Sequence, residues 1–234
     1  MKVILLSHKK KAILLLFLLG LISDVSAQEY KYEIGGGIGT SMYMGDANKN
    51  AFFSGWHPAA GVVYRKNNNF RWAMKGNLLL GKISGDTKNM DNVYPDNASA
   101  SFDRIFCELG GQMEFNFLPY SDKYAYLQTS RITPYLFAGF GVTYASGNDS
   151  FFGLNLPVGV GVKYKVRNRV NLGMEYSFRR LFSDGLDAPD KSGFHLDNPY
   201  KINGGMLKNK DWYSLIQFSI TWDFGPNDRP CTNE

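Results

Sequence analysis

"LPVGVGVKYKV", residues 156–166, decides the fold. Leu156, Val158, Val160, Val162, Tyr164 and Val166 take every second position, with Pro157, Gly159, Gly161, Lys163 and Lys165 between them. Successive side chains of a strand point to opposite faces, so the stretch predicts a strand with one apolar face. The other face is glycine and lysine. In a soluble β-protein that face meets water, and glycine there weakens the strand and covers nothing. In a closed barrel of about eight strands the polar face points into a lumen just wide enough for packed side chains, so many must be very small. Gly35, Gly37, Gly39, Gly110, Gly159, Gly161 and Gly173 then make room for the long Glu and Lys side chains beside them. The apolar face meets lipid, and closure of the sheet satisfies the backbone.

The same alternation extends along the chain. It predicts eight strands, at about 30–43, 58–66, 71–83, 100–117, 132–145, 153–166, 169–181 and 211–224. In the seventh, Val170, Leu172, Met174, Tyr176 and Phe178 oppose Asn171, Gly173, Glu175, Ser177 and Arg179. In the eighth, Ile216, Phe218, Ile220 and Trp222 oppose Gln217, Ser219, Thr221 and Asp223. Outward positions near strand ends carry Tyr64, Trp72, Tyr144, Tyr164, Trp212, Trp222 and Phe224, as interfacial aromatic girdles should. The expected fold is therefore all-β: an eight-stranded antiparallel up-and-down transmembrane β-barrel with a packed lumen. Tight turns at Asn67–Asn69 and Arg167–Asn168 contrast with long connections at 44–57, 86–99 and 182–210. Short periplasmic turns and long outer loops are the usual arrangement.

One connection departs from it. "LPYSDKYAYLQTSR" (118–131) falls where a periplasmic turn is expected, yet it is long and rich in Tyr and charge. A length without architectural need points to contact with a partner. Tyr120, Lys123, Tyr126 and Arg131 are the expected contact residues, since Tyr and Arg are favoured at interfaces. Arg65, Lys66, Arg71, Lys165, Arg167 and Arg169 are expected at the same rim, against lipid headgroups or a partner.

The first 27 residues read as a secretory signal. Lys2, Lys9, Lys10 and Lys11 precede the apolar "AILLLFLLGLI" (12–22), and "VSA" (25–27) supplies small residues before Gln28. The expected division is a signal at 1–27, a barrel at 28–224 and a periplasmic tail at 225–234. The whole chain carries +5, but removing the signal leaves 22 basic and 20 acidic side chains, a net +2. A balance so near neutrality does not suggest a nucleic-acid partner, and none is expected. Cys107 and Cys231, the only cysteines, make no disulfide framework.

Candidate chemistry is sparse. "EIGGGIGTS" (33–41) lacks the GK[ST] ending of a phosphate loop and leads into no helix. Past the signal the histidines are His57 and His195, in expected outer loops; Ser54 and Asp46 lie near His57, without a nucleophile elbow. Asp184, Asp187 and Asp190 match no calcium loop. Glu33, Lys75, Glu108, Glu114, Lys163, Glu175 and Arg179 should point inward, as mutually compensating pairs rather than an open pore. No enzyme, cofactor, metal or small-molecule substrate is expected.

Four longer strings, "YKYEIGGGIGTSMYMGDANK" (30–49), "EFNFLPYSDKYAYLQT" (114–129), "GLNLPVGVGVKYKVRNRVNLGMEYSFRRLFSDGLD" (153–187) and "LKNKDWYSLIQFSITWDFG" (207–225), resemble the PorG-like outer-membrane barrel component of the type IX secretion system. The resemblance implies a barrel in the cell outer membrane. It would contact outer-membrane lipids and the periplasmic ring made by a lipoprotein and its partner subunit. That ring serves a machine for protein secretion and, in some bacteria, gliding motility. The residues alone also admit a small porin or surface ligand-binding barrel, and a lipid-modifying barrel enzyme.

Overall fold

A computed structural model describes residues 31–44, 55–86, 101–121, 128–147, 150–167, 169–182 and 212–225. It contains β1 (Tyr32–Met44), β2 (His57–Asn67), β3 (Trp72–Asp86), β4 (Ser101–Asn116), β5 (Ile132–Ser146), β6 (Phe151–Arg167), β7 (Val170–Leu181) and β8 (Trp212–Phe224). Each strand pairs antiparallel with its neighbours in sequence, and β1 pairs β8 from Tyr32↔Phe224 to Met44↔Trp212, so the barrel closes. The eight expected strands are all present, within three residues at each end. The signal, residues 226–234, Cys231, Ser54, Asp46, His195 and the aspartates at 184, 187 and 190 lie outside the described residues.

The alternation in the sequence becomes the two sides of the wall. Val158, Val160, Val162, Tyr164 and Val166 of β6 are exposed, as are Leu172 and Met174 of β7 and Phe218, Ile220 and Trp222 of β8. The charged residues are inside: Glu33, Lys75, Glu108, Glu114, Lys163, Glu175 and Arg179 are all at most 5% exposed. This is the reverse of a water-soluble protein, in which Lys and Glu are almost never fully buried. A continuous apolar exterior far larger than any soluble monomer carries is stable only against hydrocarbon. Aromatic side chains gather at the end holding the short turns, where Tyr32, Tyr64 and Phe224 pack together with centroids 5.7–6.3 Å apart and Trp72 packs on Phe115 at 4.9 Å.

The inward glycines admit rings as well as polar chains, which refines the expectation. A Cβ on Gly161 would lie 2.5 Å from the Tyr135 ring, and one on Gly159 would lie 2.6 Å from that of Phe137. Each glycine sits directly across from its ring in the β5–β6 register. The two aromatics occupy the space that side chains on the glycines would take, and the long charged side chains lie beside them. Gly37, Gly110 and Gly173 instead face Gln217, Asn77 and Ser219, so polar neighbours account for only part of the set.

Candidate functional site: the sealed lumen and its two ends

The lumen is filled in tiers. At the short-turn end, Lys165 Nζ lies 2.7 Å from Asp223 Oδ2, and the Asn171 amide donates to the other Asp223 oxygen. Above them sits a cluster of six charged side chains, one from each of β1, β2, β3, β4, β6 and β7, with Tyr135 of β5 against it. Arg65 bridges Glu33 and Glu114, with Nε 2.9 Å from Glu114 Oε2. Lys163 also binds Glu114, and Lys75 donates to both oxygens of Glu175 at 2.6 and 2.7 Å. Tyr135 donates to Glu175 at 2.6 Å and lies beneath Lys163, whose ammonium is 4.4 Å from the ring centroid. Arg65, Lys75 and Lys163 thus face Glu33, Glu114 and Glu175, three cations against three carboxylates with no net charge. The next tier pairs Arg179 with Glu108 at 2.7 Å, supported by Tyr213 and Asn77.

Charges out of water need partners with good geometry, and here each carboxylate of the cluster has one or more. The donors and acceptors that would line a water path along these tiers bind one another instead. Toward the long-connection end the filling changes. Tyr43, Leu79, Ile83, Phe102, Phe106, Ala145, Phe151, Leu181, Tyr213 and Leu215 form an apolar cluster across the lumen, with Arg104 also buried at that level.

Two rim assignments are corrected. Arg65 and Lys165, expected against headgroups or a partner, are 2% and 6% exposed and belong to the lumen network. Both follow the inward parity of their strands, and their length lets the charged head reach into the lumen from near the strand end.

Of the four expected contact residues, Tyr120 is turned inward. Its hydroxyl donates to Asn171 at 2.8 Å, and its ring covers Lys163 and Lys165 at 5.9 and 5.5 Å. It closes the mouth of the lumen rather than standing on the surface. The base of its connection is tied by Ser121 N to Ser130 O and Ser130 N to Pro119 O. Arg131 is exposed. Lys123 and Tyr126 lie outside the described residues. His57 opens β2 rather than lying in a loop, and its Nε2 is 2.6 Å from Ser84 Oγ. Among the described residues no cluster of His, Cys, Asp and Glu has the arrangement of a metal site.

The two ends differ in charge. The segments at the short-turn end, 66–71, 118–131 and 167–169, hold Lys66, Arg71, Lys123, Arg131, Arg167 and Arg169 against Asp122 alone. The connections at the other end, 45–56, 87–100, 147–150 and 183–211, hold nine aspartates against six lysines.

A closed eight-stranded barrel with lipid-facing exterior and ion-paired interior is a small β-barrel of the outer-membrane class. The chain belongs to the family described as a domain of unknown function, DUF6089, whose model matches residues 10–233. Among solved structures, Neisserial surface protein A aligns with a TM-score of 0.51 at 12% identity, over 85% of this chain and all of that one. Ail of Yersinia pestis, in complex with the heparin analogue sucrose octasulfate, aligns at 0.47 and 11% over 84% of this chain and all of its own. OprG of Pseudomonas aeruginosa aligns at 0.44 and 10% over 87% of this chain and all of its own. The first of these likenesses supports the fold, that of an outer-membrane barrel. No curated protein matches the sequence.

Proposed function

We propose that this barrel is a non-catalytic anchor, holding the periplasmic ring of the type IX secretion machinery, and of gliding where present, against the outer membrane. The observation that carries the reading is the sealed lumen. A barrel filled by the Arg65–Glu114–Lys163 and Lys75–Glu175 contacts passes no solute, so its work falls to its two ends. The short-turn end is the basic one, and it includes the long 118–131 connection fastened to the lumen by Tyr120. The strings at 30–49, 114–129, 153–187 and 207–225 supply the link to the secretion machine through their resemblance to its barrel component.

The test is crosslinking in cells. Photoreactive residues at Arg71 and Arg131, both exposed, should capture the ring lipoprotein and its partner subunit. Capture of neither, from a barrel shown to be folded in the membrane, removes the secretion role. Capture of an external ligand by the same group at Trp56, with none at the basic end, would favour a surface-binding barrel instead.

A further inference from the structure

We infer that the outer wall across β8, β1, β2, β3 and β4, near the long-connection end, holds a binding site for a phosphorylated, acylated glycolipid of the outer leaflet. The site is a groove of about 700 Å³ on the lipid-facing side, walled by Ile38, Trp56, Ala60, Leu80, Ile105 and Phe218. Its origin is legible in the register. Phe218, Ile38, Ala60 and Leu80 stand side by side on consecutive strands, and only Ala60 is short. Three large outward side chains with one small one among them leave a trough along β2, continued by Pro58 toward the rim.

The groove ends where the wall changes character. The next outward position beyond Leu80 on β3 is Lys82, which stands opposite Ile105 of β4 and reaches diagonally to Asp103, with Nζ 2.8 Å from Asp103 Oδ2. Trp56, 57% exposed, stands at the same rim. A Trp and a Lys beside the last aliphatic row mark the boundary between acyl chains and headgroups. Thr40 lines the trough with its buried Oγ1 without a hydrogen-bond partner. The occupant at this depth is hydrocarbon, because no water reaches it. At the mouth, the Lys82 ammonium has three donors and Asp103 takes one, leaving others for a phosphate. The groove opens at the end that carries the long connections, hence toward the outer leaflet, and a phosphorylated, multiply acylated glycolipid offers both chains for the trough and a phosphate for Lys82. The inference is independent of ring docking, which concerns the opposite end.

The test uses the full-length protein purified from its own membrane in mild detergent, with retained lipid counted by native mass spectrometry. Wild type should carry the glycolipid. Ala60→Trp, which fills the trough from the outside, and Lys82→Gln, which removes the charge, should each reduce it by roughly fivefold or more, as loss of one good contact implies. Leu136→Trp, an outward position on β5, serves as the control and should retain wild-type amounts. The heat-dependent gel shift of a closed barrel verifies folding of every variant. Equal retention in all four proteins overturns the inference. So does full displacement of the glycolipid by added phosphatidylglycerol at equal concentration, since the groove would then be a generic acyl slot.

Discussion

Two halves of one lumen are packed by opposite chemistries. Toward the short turns, Arg65, Lys75, Lys163 and Lys165 are matched against Glu33, Glu114, Glu175 and Asp223, and Asn67 and Asn171 bind the second oxygens of Glu33 and Asp223. Toward the long connections, Phe106, Leu79, Ile83, Phe102 and Leu215 fill the same cross-section as any soluble core would. Both halves exclude water, but they fail differently. Apolar packing loses stability in proportion to the volume removed. An ion-paired cluster loses far more when one partner goes than when a matched pair goes, because the survivor is a buried charge without compensation.

That contrast is open to measurement by urea titration of the barrel refolded in lipid. Arg65→Ala should be the largest effect, roughly 3–5 kcal/mol, because it leaves Glu33 and Glu114 short of a cation. Adding Glu114→Gln to it should recover part of the loss, and strict additivity of the two would contradict the compensated cluster. Val160→Lys, at a 50% exposed outward position of β6, should cost about 2–4 kcal/mol if that side meets the membrane interior, and almost nothing if it meets water. Gly161→Ala should cost roughly 1–3 kcal/mol by forcing Tyr135 off its seat, with Tyr135→Leu in the same chain relieving it. In the apolar half, Phe106→Leu should cost about 1.5 kcal/mol, from the volume it removes. The smallest effect is expected of Tyr120→Phe. It removes the bond to Asn171 but keeps the ring over Lys163 and Lys165, for about 1 kcal/mol.

The same contrast separates what the sequence made legible from what it did not. Strand number, strand limits and the lipid face were readable because a period of two is a local signal, and the glycine and lysine face of β6 distinguished a lumen from a wet surface. The seven inward charges followed from the same parity. Arg65 and Lys165 obeyed it too, but nearness to a strand end hid the reach of their side chains. The apolar half of the lumen was masked where both faces are hydrophobic: parity puts Leu78 and Leu80 on the lipid face with Trp72 and Met74, as observed, but does not reveal that the inward Leu79 joins an apolar tier rather than a polar one. Tyr120 lies beyond the alternation altogether. Its inward turn depends on backbone bonds from its connection to Phe70 and Ser130, which are contacts across the barrel end that no local pattern encodes. His57 drew attention through nearby Ser54 and Asp46, whereas the hydroxyl beside it is Ser84, on the next strand.

Three buried cations and three buried carboxylates, with aromatic rings set against glycines, shut the barrel. Planar-bilayer recording of the purified, folded protein tests it most directly. A sealed lumen gives no steady conductance above the bare membrane at neutral pH, with channel openings appearing only in a variant that strips the cluster, such as Arg65→Ala combined with Tyr135→Ala. A steady, ion-selective conductance through the wild-type barrel would contradict it.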